Sequence, residues 1–258
     1  MAHEFDGKQY EKASSHQYEW GRKLIAGLGL KGNERVLDLG CGDGGLTAII
    51  SELLPEGDVL GIDASQGMID AALPKSRNNL RFELQDINGI GFEDAFDVIF
   101  SNAALHWIKD HAGLLRNVRR ALRPNGRVRF NFAGQGNCSA FFGVIQEAMA
   151  MERYKPYFFS FEWPWYMPSV EEYTRLAVSS GLQNLKVLGE NADRYFPDRE
   201  TMIRWIDQPS IVPLLPYLPE EKRSEFRDAV VQRMIGETLQ PDGRCFETFR
   251  RINLSATK

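Results

Sequence analysis

The chain has 258 residues, of which 43% are hydrophobic and 26% are charged, and its formal net charge at pH 7 is −4. This length accommodates one large α/β domain with a buried core, and the acidic balance disfavours a broad basic surface for nucleic acid. The sequence has neither an apolar run of roughly 18 residues, as a membrane span needs, nor the apolar core of a signal peptide at its N-terminus. We therefore expect a cytoplasmic protein without a nucleic-acid, membrane or obligate protein partner.

The three cysteines, Cys41, Cys138 and Cys245, are far apart and form no C-x-x-C pair. This usage is typical of a reduced compartment and indicates neither a disulfide framework nor a zinc or iron–sulfur site. The histidines do not pair as metal ligands either, so we expect no metal. His111, beside Asp110 at a predicted helix start, is expected to lie on the surface.

Strand and helix patterns alternate over the first half of the chain. Apolar residues from Trp20 to Leu28 recur at helical spacing and predict a leading helix. The predicted strands that follow are Arg35–Leu39, Asp58–Asp63, Leu80–Asp86, Phe96–Asn102 and Arg127–Ala133. Helical patterns lie between them, and the turn RPNG at 123–126 precedes the last of these strands. This alternation predicts an α/β fold with a doubly wound, mainly parallel sheet.

The second half of the chain has a different texture. Residues from about 134 to 168 are rich in aromatic residues, and the stretch YKPYFFSFEWPWYMP contains too much proline for a long regular element. Further helices are predicted within 169–182, 197–206 and 219–239, and further strands within 183–191 and 245–257. The two later strands bring the predicted sheet to seven. We expect a single domain over 1–258, with a cofactor-binding core at 34–133 and a helical, aromatic lid within about 134–242.

The loop after the first predicted strand carries the sequence VLDLGCGDGGLT, from Val36 to Thr47. Gly40, Gly42 and Gly45 satisfy the G-x-G-x-x-G spacing of a dinucleotide-binding turn. In an open α/β sheet this turn lies at the carboxyl ends of the strands, where ligands bind. The spacing alone therefore leaves the cofactor open.

Two acids distinguish between the candidate cofactors. Asp38 precedes the first glycine, Asp43 lies within the loop, and no Lys or Arg follows before Leu54. Each carboxylate would repel a dinucleotide phosphate by about 1 kcal/mol or more at close range. S-adenosylmethionine has no phosphate and carries an ammonium and a sulfonium, so Asp38 would attract it. The loop favours S-adenosylmethionine over a nicotinamide dinucleotide.

Acids also follow the second and third predicted strands. Asp63 is placed to accept both ribose hydroxyls of the cofactor, a role that would fit NAD equally well. Asp86 could accept the adenine amino group while Ile87 packs on the ring. The alternative for Asp86 is a cap or turn acid.

The ordered segments VLDLGCGDG, GIDAS, LQDI, FDVIFSNAALHW and LRPNGRV resemble the class I S-adenosylmethionine-dependent methyltransferases, over residues 34–133. The stretches SNAALHW, QYEKASSHQYEWGRKLI and FETFRRINLSAT look like the trans-aconitate methyltransferase group, and in part like the juvenile hormone acid methyltransferases. Both groups esterify carboxylates. The resemblance implies a Rossmann-like methyltransferase fold with S-adenosylmethionine as cofactor.

The resemblance also implies which residues form the site. The predicted cofactor-binding residues are Asp38, Gly40, Cys41, Gly42, Asp63, Ala64, Met68, Asp86, Ile87 and Asn102. The predicted acceptor-binding residues are His16, Gln17, His106 and Trp107. Gln17 falls where the juvenile hormone acid group has a glutamine, and its amide can donate to a carboxylate oxygen. For Trp107 a packing role is the alternative, and the aromatic residues of 154–166 either line an acceptor pocket or anchor the lid.

The predicted activity is methylation of a small or medium-sized carboxylic acid on oxygen. Transfer from a sulfonium needs close, in-line approach more than acid–base help, and a carboxylate is already ionised at pH 7. We therefore predict transfer by proximity, with no catalytic side chain. Methylation of nitrogen, carbon or a phenol oxygen is the alternative, and a nicotinamide-dependent reductase or a non-catalytic cofactor-binding scaffold is more remote.

Overall fold

The computed structural model describes residues 15–258, and these form two compact units. The first unit comprises residues 15–135 together with Trp165–Glu190 and Arg251–Lys258. The second comprises Gly136–Pro164 and Asn191–Arg250. The single domain with a lid over about 134–242 stays a prediction. Within residues 15–258, no helix combines the length and the apolar composition needed to cross a membrane.

The helices and strands alternate along most of the chain. In chain order the helices are α1 (Ser15–Ala26), α2 (Gly45–Glu52), α3 (Gln66–Ala72), α4 (His111–Ala121), α5 (Ser139–Ala150), α6 (Val170–Ser179), α7 (Arg199–Trp205) and α8 (Glu220–Thr238). The strands are β1 (Arg35–Leu39), β2 (Asp58–Asp63), β3 (Leu80–Leu84), β4 (Phe96–Asn102), β5 (Leu122–Ala133), β6 (Gln183–Asn191), β7 (Arg194–Phe196), β8 (Cys245–Glu247) and β9 (Arg250–Thr257).

The first unit is built on a seven-stranded sheet in the order β3-β2-β1-β4-β5-β9-β6. The strands from β1 to β5 pair in parallel, whereas β9 runs antiparallel to β5. The chain order reverses between β1 and β4, which puts the end of β1 at the switch point where open α/β sheets bind ligands. The predicted doubly wound, mainly parallel seven-stranded sheet is confirmed.

Successive side chains of each strand point to opposite faces of the sheet. Both faces are buried, because helices pack against each of them. Leu37, Phe130 and Phe132 belong to one apolar cluster, which includes the buried residues of α4 and α6. Val36 and Phe100 belong to another, which includes the buried residues of α1 and α2. Each fully buried side chain of this size contributes about 1.5–3 kcal/mol. The cores on the two faces therefore hold the strand ends in fixed positions.

The start of β5 differs from the prediction. The turn RPNG was expected to precede the strand, yet β5 begins at Leu122, directly after α4. Leu122 pairs with Phe96, whereas Arg127 pairs with Val98, so the turn residues form a bulge in the strand. Asn125 takes a φ of 65° within it. The turn residues were recognised correctly, but they interrupt a strand rather than precede one.

The second unit contains α5, which packs against α8, and a small antiparallel sheet of β7 and β8. Helix α5 was not predicted, although its buried residues follow helical spacing: Phe141, Val144, Ile145 and Ala148. The predicted closing strand over 245–257 proves to be two strands, because β8 pairs with β7 in the small sheet while β9 joins the large one.

A buried carboxylate organises the start of α5. Glu247 is 1% exposed, and it accepts hydrogen bonds from the backbone N–H groups of Ala140 (3.3 Å), Phe141 (2.9 Å) and Thr248 (2.7 Å). The unpaired N–H groups of the first helical turn and the helix dipole both favour a negative charge here. Glu247 thereby links β8 to the helix it caps.

Replacement of this carboxylate tests the capping role. Glu247→Ala leaves buried N–H donors without an acceptor, so we expect the free energy of unfolding to fall by about 1–3 kcal/mol in urea denaturation. The control is Glu237→Ala, which removes an exposed glutamate of α8 and should change it by less than about 0.5 kcal/mol. Equal effects of the two substitutions would contradict the capping role.

Candidate functional site

A cleft opens at the carboxyl end of β1, within the first unit. It is partly open to solvent. Its walls come from α1, the loop between β1 and α2, and the end of β4. The lining residues are Gln17, Tyr18, Asp38, Gly40, Cys41, Gly42, Asp43, Leu46, Phe100 and Asn102.

The glycines of the β1–α2 loop have different structural reasons. Gly40 and Gly42 have φ angles of 74° and 56°, in the left-handed region that favours glycine. A Cβ on Gly40 would lie 2.2 Å from the Cβ of Ala104, so close packing also excludes a side chain there. A Cβ on Gly42 would meet no atom of the described residues within 4 Å. The backbone at Gly42 is therefore open to close approach by a ligand.

Gly45, the third glycine of the pattern, leaves room for the side chain of a tyrosine. A Cβ on Gly45 would lie 1.9 Å from the hydroxyl oxygen of Tyr18. That hydroxyl contacts both oxygens of Asp43, at 2.6 and 2.5 Å, and so fastens α1 to the loop. This role of Tyr18 was not predicted, because only the fold brings α1 against this loop.

Asp38 is almost fully buried at the end of β1. It is 2% exposed, and the hydroxyl of Thr47 donates to it at 2.7 Å. Burial raises the pKa of Asp38 to about 7; the Thr47 hydrogen bond opposes this shift, and the nearby charge of Asp63 adds to it. A positive ligand group in the cleft would favour the ionised form of this carboxylate.

Asp63, at the end of β2, fixes two backbone segments at once. Its Oδ2 accepts from the N–H of Gly42 at 3.0 Å, and its Oδ1 accepts from the N–H of Ser65 at 2.9 Å. Ser65 in turn caps α3 by accepting from the N–H of Met68. Since a carboxylate oxygen can accept more than one hydrogen bond, Asp63 keeps the capacity to accept from ligand hydroxyls.

Asp86 and Ile87 lie beyond the end of β3. The exposed side chain of Asp86 caps a short turn, because its Oδ1 accepts from the N–H and the side-chain amide of Asn88, both at 2.8 Å. The capping role considered as an alternative for Asp86 is thus present. Ile87 is 6% exposed and lies in the core cluster on one face of the sheet.

The end of β4 meets α1 at the cleft. The side-chain N–H of Asn102 donates to the backbone carbonyl of Gln17 at 3.0 Å. The side-chain amide oxygens of both residues, Oδ1 of Asn102 and Oε1 of Gln17, are buried and accept no hydrogen bond from residues 15–258. Both are acceptors that a ligand donor could satisfy.

His106 and Trp107 form a short turn after β4. The Nδ1 atom of His106 is buried and has no hydrogen-bond partner among the described residues. Burial lowers the pKa of His106 to about 3, and the charges of Arg251 and His111 add to the effect. The Trp107 ring packs 5.5 Å from the ring of Trp165. The packing role considered for Trp107 is therefore present.

The expectation for His111 is wrong. His111 is 2% exposed, with Nε2 at 2.9 Å from the carbonyl of Leu105 and Nδ1 at 3.1 Å from the hydroxyl of Tyr173. Burial lowers its pKa to about 4. The first turn of α4 faces the core, so this histidine has a structural position despite its polar neighbour Asp110.

The structure brings together only part of the predicted site. The predicted residues that line the cleft are Gln17, Asp38, Gly40, Cys41, Gly42 and Asn102. Those outside its lining are Asp63, Ala64, Met68, Asp86, Ile87, His106 and Trp107. His16 lies in α1, but its side chain is outside the described part of the chain.

The aromatic segment divides between the two units. Trp165 and Tyr166 belong to the first unit. Tyr154 and Phe158 are buried in the second, where both rings pack against Phe226, at 5.0 and 5.4 Å. These two contacts indicate an anchoring role for this part of the segment.

The cleft fits a cationic ligand that has no phosphate. The carboxylate of Asp38 and the unpartnered oxygens of Asn102 and Gln17 are all acceptors. None of the described residues that line the cleft is Lys or Arg. A phosphate would meet buried negative and acceptor atoms here, whereas an ammonium or a hydroxyl would satisfy them.

Comparisons with known proteins agree with this geometry. A family model described as a methyltransferase domain matches residues 30–155. An uncharacterised methyltransferase of Schizosaccharomyces pombe is 30% identical over an alignment of 263 residues, which covers 98% of each chain. The phosphoethanolamine N-methyltransferase 2 of Haemonchus contortus, solved with phosphomonomethylethanolamine and S-adenosylhomocysteine, has a TM-score of 0.63 at 20% identity. That match covers 98% of this chain but 57% of the longer chain, and it shows the fold alone.

The chain belongs to the class I S-adenosylmethionine-dependent methyltransferases. It is an enzyme of that class, and S-adenosylmethionine is its cofactor. Within the class it is similar to the trans-aconitate 2-methyltransferase of Deinococcus radiodurans, at 28% identity over 255 residues that cover 97% of this chain and 96% of the relative. The predicted family and cofactor are confirmed, and the nicotinamide-dependent reductase is set aside.

The close contact between Gly45 and Tyr18 can be tested directly. Gly45→Ala forces the tyrosine away from the loop, so we expect the free energy of unfolding to fall by about 1–3 kcal/mol in chemical denaturation. Gly236→Ala is the matched control, because this exposed glycine of α8 has nothing within 4 Å of an added Cβ. The control should be neutral or stabilising by up to about 1 kcal/mol. A neutral Gly45→Ala would show that Tyr18 does not occupy this position.

Proposed function

We propose that the enzyme methylates a carboxylate oxygen of a small-molecule acid. The observation that carries this proposal is the weak basicity of the groups that follow β4. Burial lowers the pKa of His106 to about 3 and that of His111 to about 4. Neither histidine can accept a proton efficiently from an amine or a phenol near pH 7. A carboxylate is already ionised at that pH and needs no such base.

We assign the cofactor contacts to the loops after β1 and β2. Bound S-adenosylmethionine supplies a methyl group on a sulfonium, which is an activated leaving group. Asp38 would hold its ammonium, Gly40 and Gly42 would let the backbone approach it, and Asp63 would accept the ribose hydroxyls. The remaining proposed contacts are Cys41, Ala64, Met68, Asp86, Ile87 and Asn102.

The acceptor side of the site is proposed to include Gln17, His106 and Trp107, together with His16. The amide of Gln17 offers N–H donors for a carboxylate oxygen, and α1 holds this residue at the rim of the cleft. The unpartnered Nδ1 of His106 is a second polar atom of this region. Packing against Trp165 fixes the ring of Trp107 as a wall. Transfer would then depend on proximity and orientation.

The names of several relatives support an acid acceptor. The trans-aconitate 2-methyltransferases of Deinococcus radiodurans and of an Acidovorax strain cover 97% and 99% of this chain, at 28% and 25% identity.

A cytoplasmic location is also part of the proposal, and the three buried free cysteines support a reduced compartment.

The proposed role of Asp38 predicts a pH-dependent affinity. Its pKa of about 7 in the free protein means that a bound ammonium selects the ionised form. We expect calorimetric affinity for S-adenosylhomocysteine to be constant above about pH 7 and to fall by up to tenfold per pH unit below it. Asp38→Asn should weaken binding and abolish this pH dependence.

The same substitution should stabilise the protein without ligand. Because the folded pKa of Asp38 lies above the unfolded value, its ionisation disfavours the folded state as the pH rises towards 7. Asp38→Asn should therefore raise the Tm of the ligand-free protein at pH 8. Asp70→Asn, at an exposed position of α3, is the control and should change neither affinity nor Tm. Asp38→Asn with an unaltered pH profile of binding would rule out the ammonium contact.

Product identity tests the proposed reaction. The enzyme is incubated with methyl-labelled S-adenosylmethionine and a panel of mono-, di- and tricarboxylic acids that includes trans-aconitate. We expect a labelled methyl ester that mild alkali hydrolyses to methanol. A product whose methyl group is stable to alkali, on nitrogen, carbon or an aryl oxygen, would refute carboxylate methylation. Heat-denatured enzyme gives the background.

A further inference from the structure

The last strand of the large sheet has one uncovered edge. Strand β6 ends the strand order, so β9 is its one neighbour in this sheet within residues 15–258. The other edge of β6 therefore presents backbone N–H and C=O groups that no strand of the described chain pairs. Seven of the nine residues of β6 are exposed, and the strand has no proline, which natural proteins often use to block such an edge. The edge can therefore accept a further strand.

Side chains along β6 alternate between the two faces of the sheet. Leu185 and Val187 are partly buried against the apolar core on one face. Lys186, Leu188 and Glu190 therefore point to the opposite face, where the core contains no residue of β6. All three are exposed, Leu188 by 62%. This face of the edge carries a cation, an apolar side chain and an anion at alternate positions.

Glu190 is held on this face, whereas Lys186 is not. The Oε2 atom of Glu190 accepts hydrogen bonds from the side-chain amides of Asn253, at 2.8 Å, and of Asn131, at 3.5 Å. Lys186 makes no hydrogen bond or ion pair with another residue of the described chain. The edge thus presents a positioned carboxylate together with an ammonium that can pair with an added carboxylate.

The spacing of these side chains is self-complementary. In a two-fold symmetric, antiparallel pair of identical strands, one residue faces its own copy, and residues equally distant on either side of it face each other. With the axis at Leu188, Lys186 of each copy faces Glu190 of the other, and the two Leu188 side chains meet. An axis at Lys186 or Glu190 would oppose like charges, and an axis at Val187 or Gly189 would oppose a charge and Leu188. Cross-strand pairing therefore favours the axis at Leu188.

The opposite edge of the sheet is less suited to pairing. Strand β3 has five residues, and its Arg81 already has an ion-pair partner, Asp58, at 4.0 Å. The central side chain of β3, Phe82, is 7% exposed and belongs to the core that includes Val36. A second copy would thus gain fewer backbone hydrogen bonds at β3 and no unpaired cation.

We propose that the chain forms a symmetric dimer through β6, in which two copies of the large sheet join into one continuous sheet with the axis at Leu188. Hydrogen bonds between the two β6 backbones hold the copies together, and the pairs of Lys186 with Glu190 fix the register. Strand β6 lies four strands from β1, which is about 19 Å at the usual spacing of about 4.8 Å. The interface is therefore separate from the cofactor cleft, and this inference does not depend on the identity of the acceptor.

Charge reversal tests the interface by analytical ultracentrifugation of the full chain at micromolar concentrations. We expect the wild-type chain to dimerise, and Lys186→Glu and Glu190→Lys each to raise the dissociation constant about tenfold or more, because like charges then face each other. An equimolar mixture of the two variants should regain the wild-type dissociation constant, since every charged pair across the mixed interface is again opposite in sign. A monomeric wild-type chain, or a mixture that associates no better than either variant, would overturn the proposal.

Two controls separate the interface from general effects of charge and folding. Lys155→Glu changes the net charge by the same amount at a lysine of the second unit whose side chain is 68% exposed, and it should leave the dissociation constant of the dimer unchanged. The charge-reversed variants should bind S-adenosylhomocysteine within about twofold of wild type, which shows that they are folded. An equal effect of Lys155→Glu and Lys186→Glu on the dissociation constant would contradict pairing at β6.

Cross-linking locates the axis and does not depend on the charged residues. Facing residues of antiparallel strands have Cβ atoms about 4.5–5.5 Å apart, so a short bismaleimide should convert Leu188→Cys into a covalent dimer. The native cysteines are buried, so the wild-type chain gives the background. Leu84→Cys is the matched control, because Leu84 is an exposed leucine on the opposite edge strand, and it should stay uncross-linked. A covalent dimer of Leu84→Cys, or none of Leu188→Cys, would overturn the proposal.

Discussion

The buried carboxylate of Asp38 sets the character of this site. Asp38 is 2% exposed at the end of β1, and burial raises its pKa to about 7. Burying an ionised carboxylate is unfavourable unless a partner charge compensates it. In the same cleft, two buried amide oxygens receive no hydrogen bond from the part of the chain that the structure describes. A ligand that brings an ammonium and hydroxyl groups would satisfy these acceptors.

The surrounding framework keeps these acceptors in place. Asp63 holds both the β1–α2 loop and the start of α3 through backbone N–H groups, while the Tyr18–Asp43 contact fastens α1 over the same loop. Because α1 also receives the hydrogen bond from Asn102, one helix is connected to the cofactor loop and to the end of β4. Fixed positions of this kind matter for a reaction that depends on orientation more than on acid–base catalysis.

The sequence predicted the parts of the protein that local patterns encode. Strand–helix alternation and the acid-bearing glycine loop were sufficient for the fold class and for the cofactor. Contacts between distant segments were not predictable in the same way. The role of Gly45 depends on Tyr18, which only the packing of α1 brings to the loop, and the burial of His111 depends on Tyr173 in α6. The helical spacing of α5 is present in the sequence, but the aromatic and proline residues that follow it indicate irregular structure.

Our central proposal is that Asp38 receives the positive charge of the cofactor. Its most direct test is a carbon-13 NMR titration of the Asp38 carboxyl group, with and without saturating S-adenosylhomocysteine. We expect the pKa of Asp38 to be about 7 in the ligand-free enzyme and to fall when the ligand binds. A pKa near the ordinary aspartate value in the free enzyme, or one that does not change on binding, would contradict it.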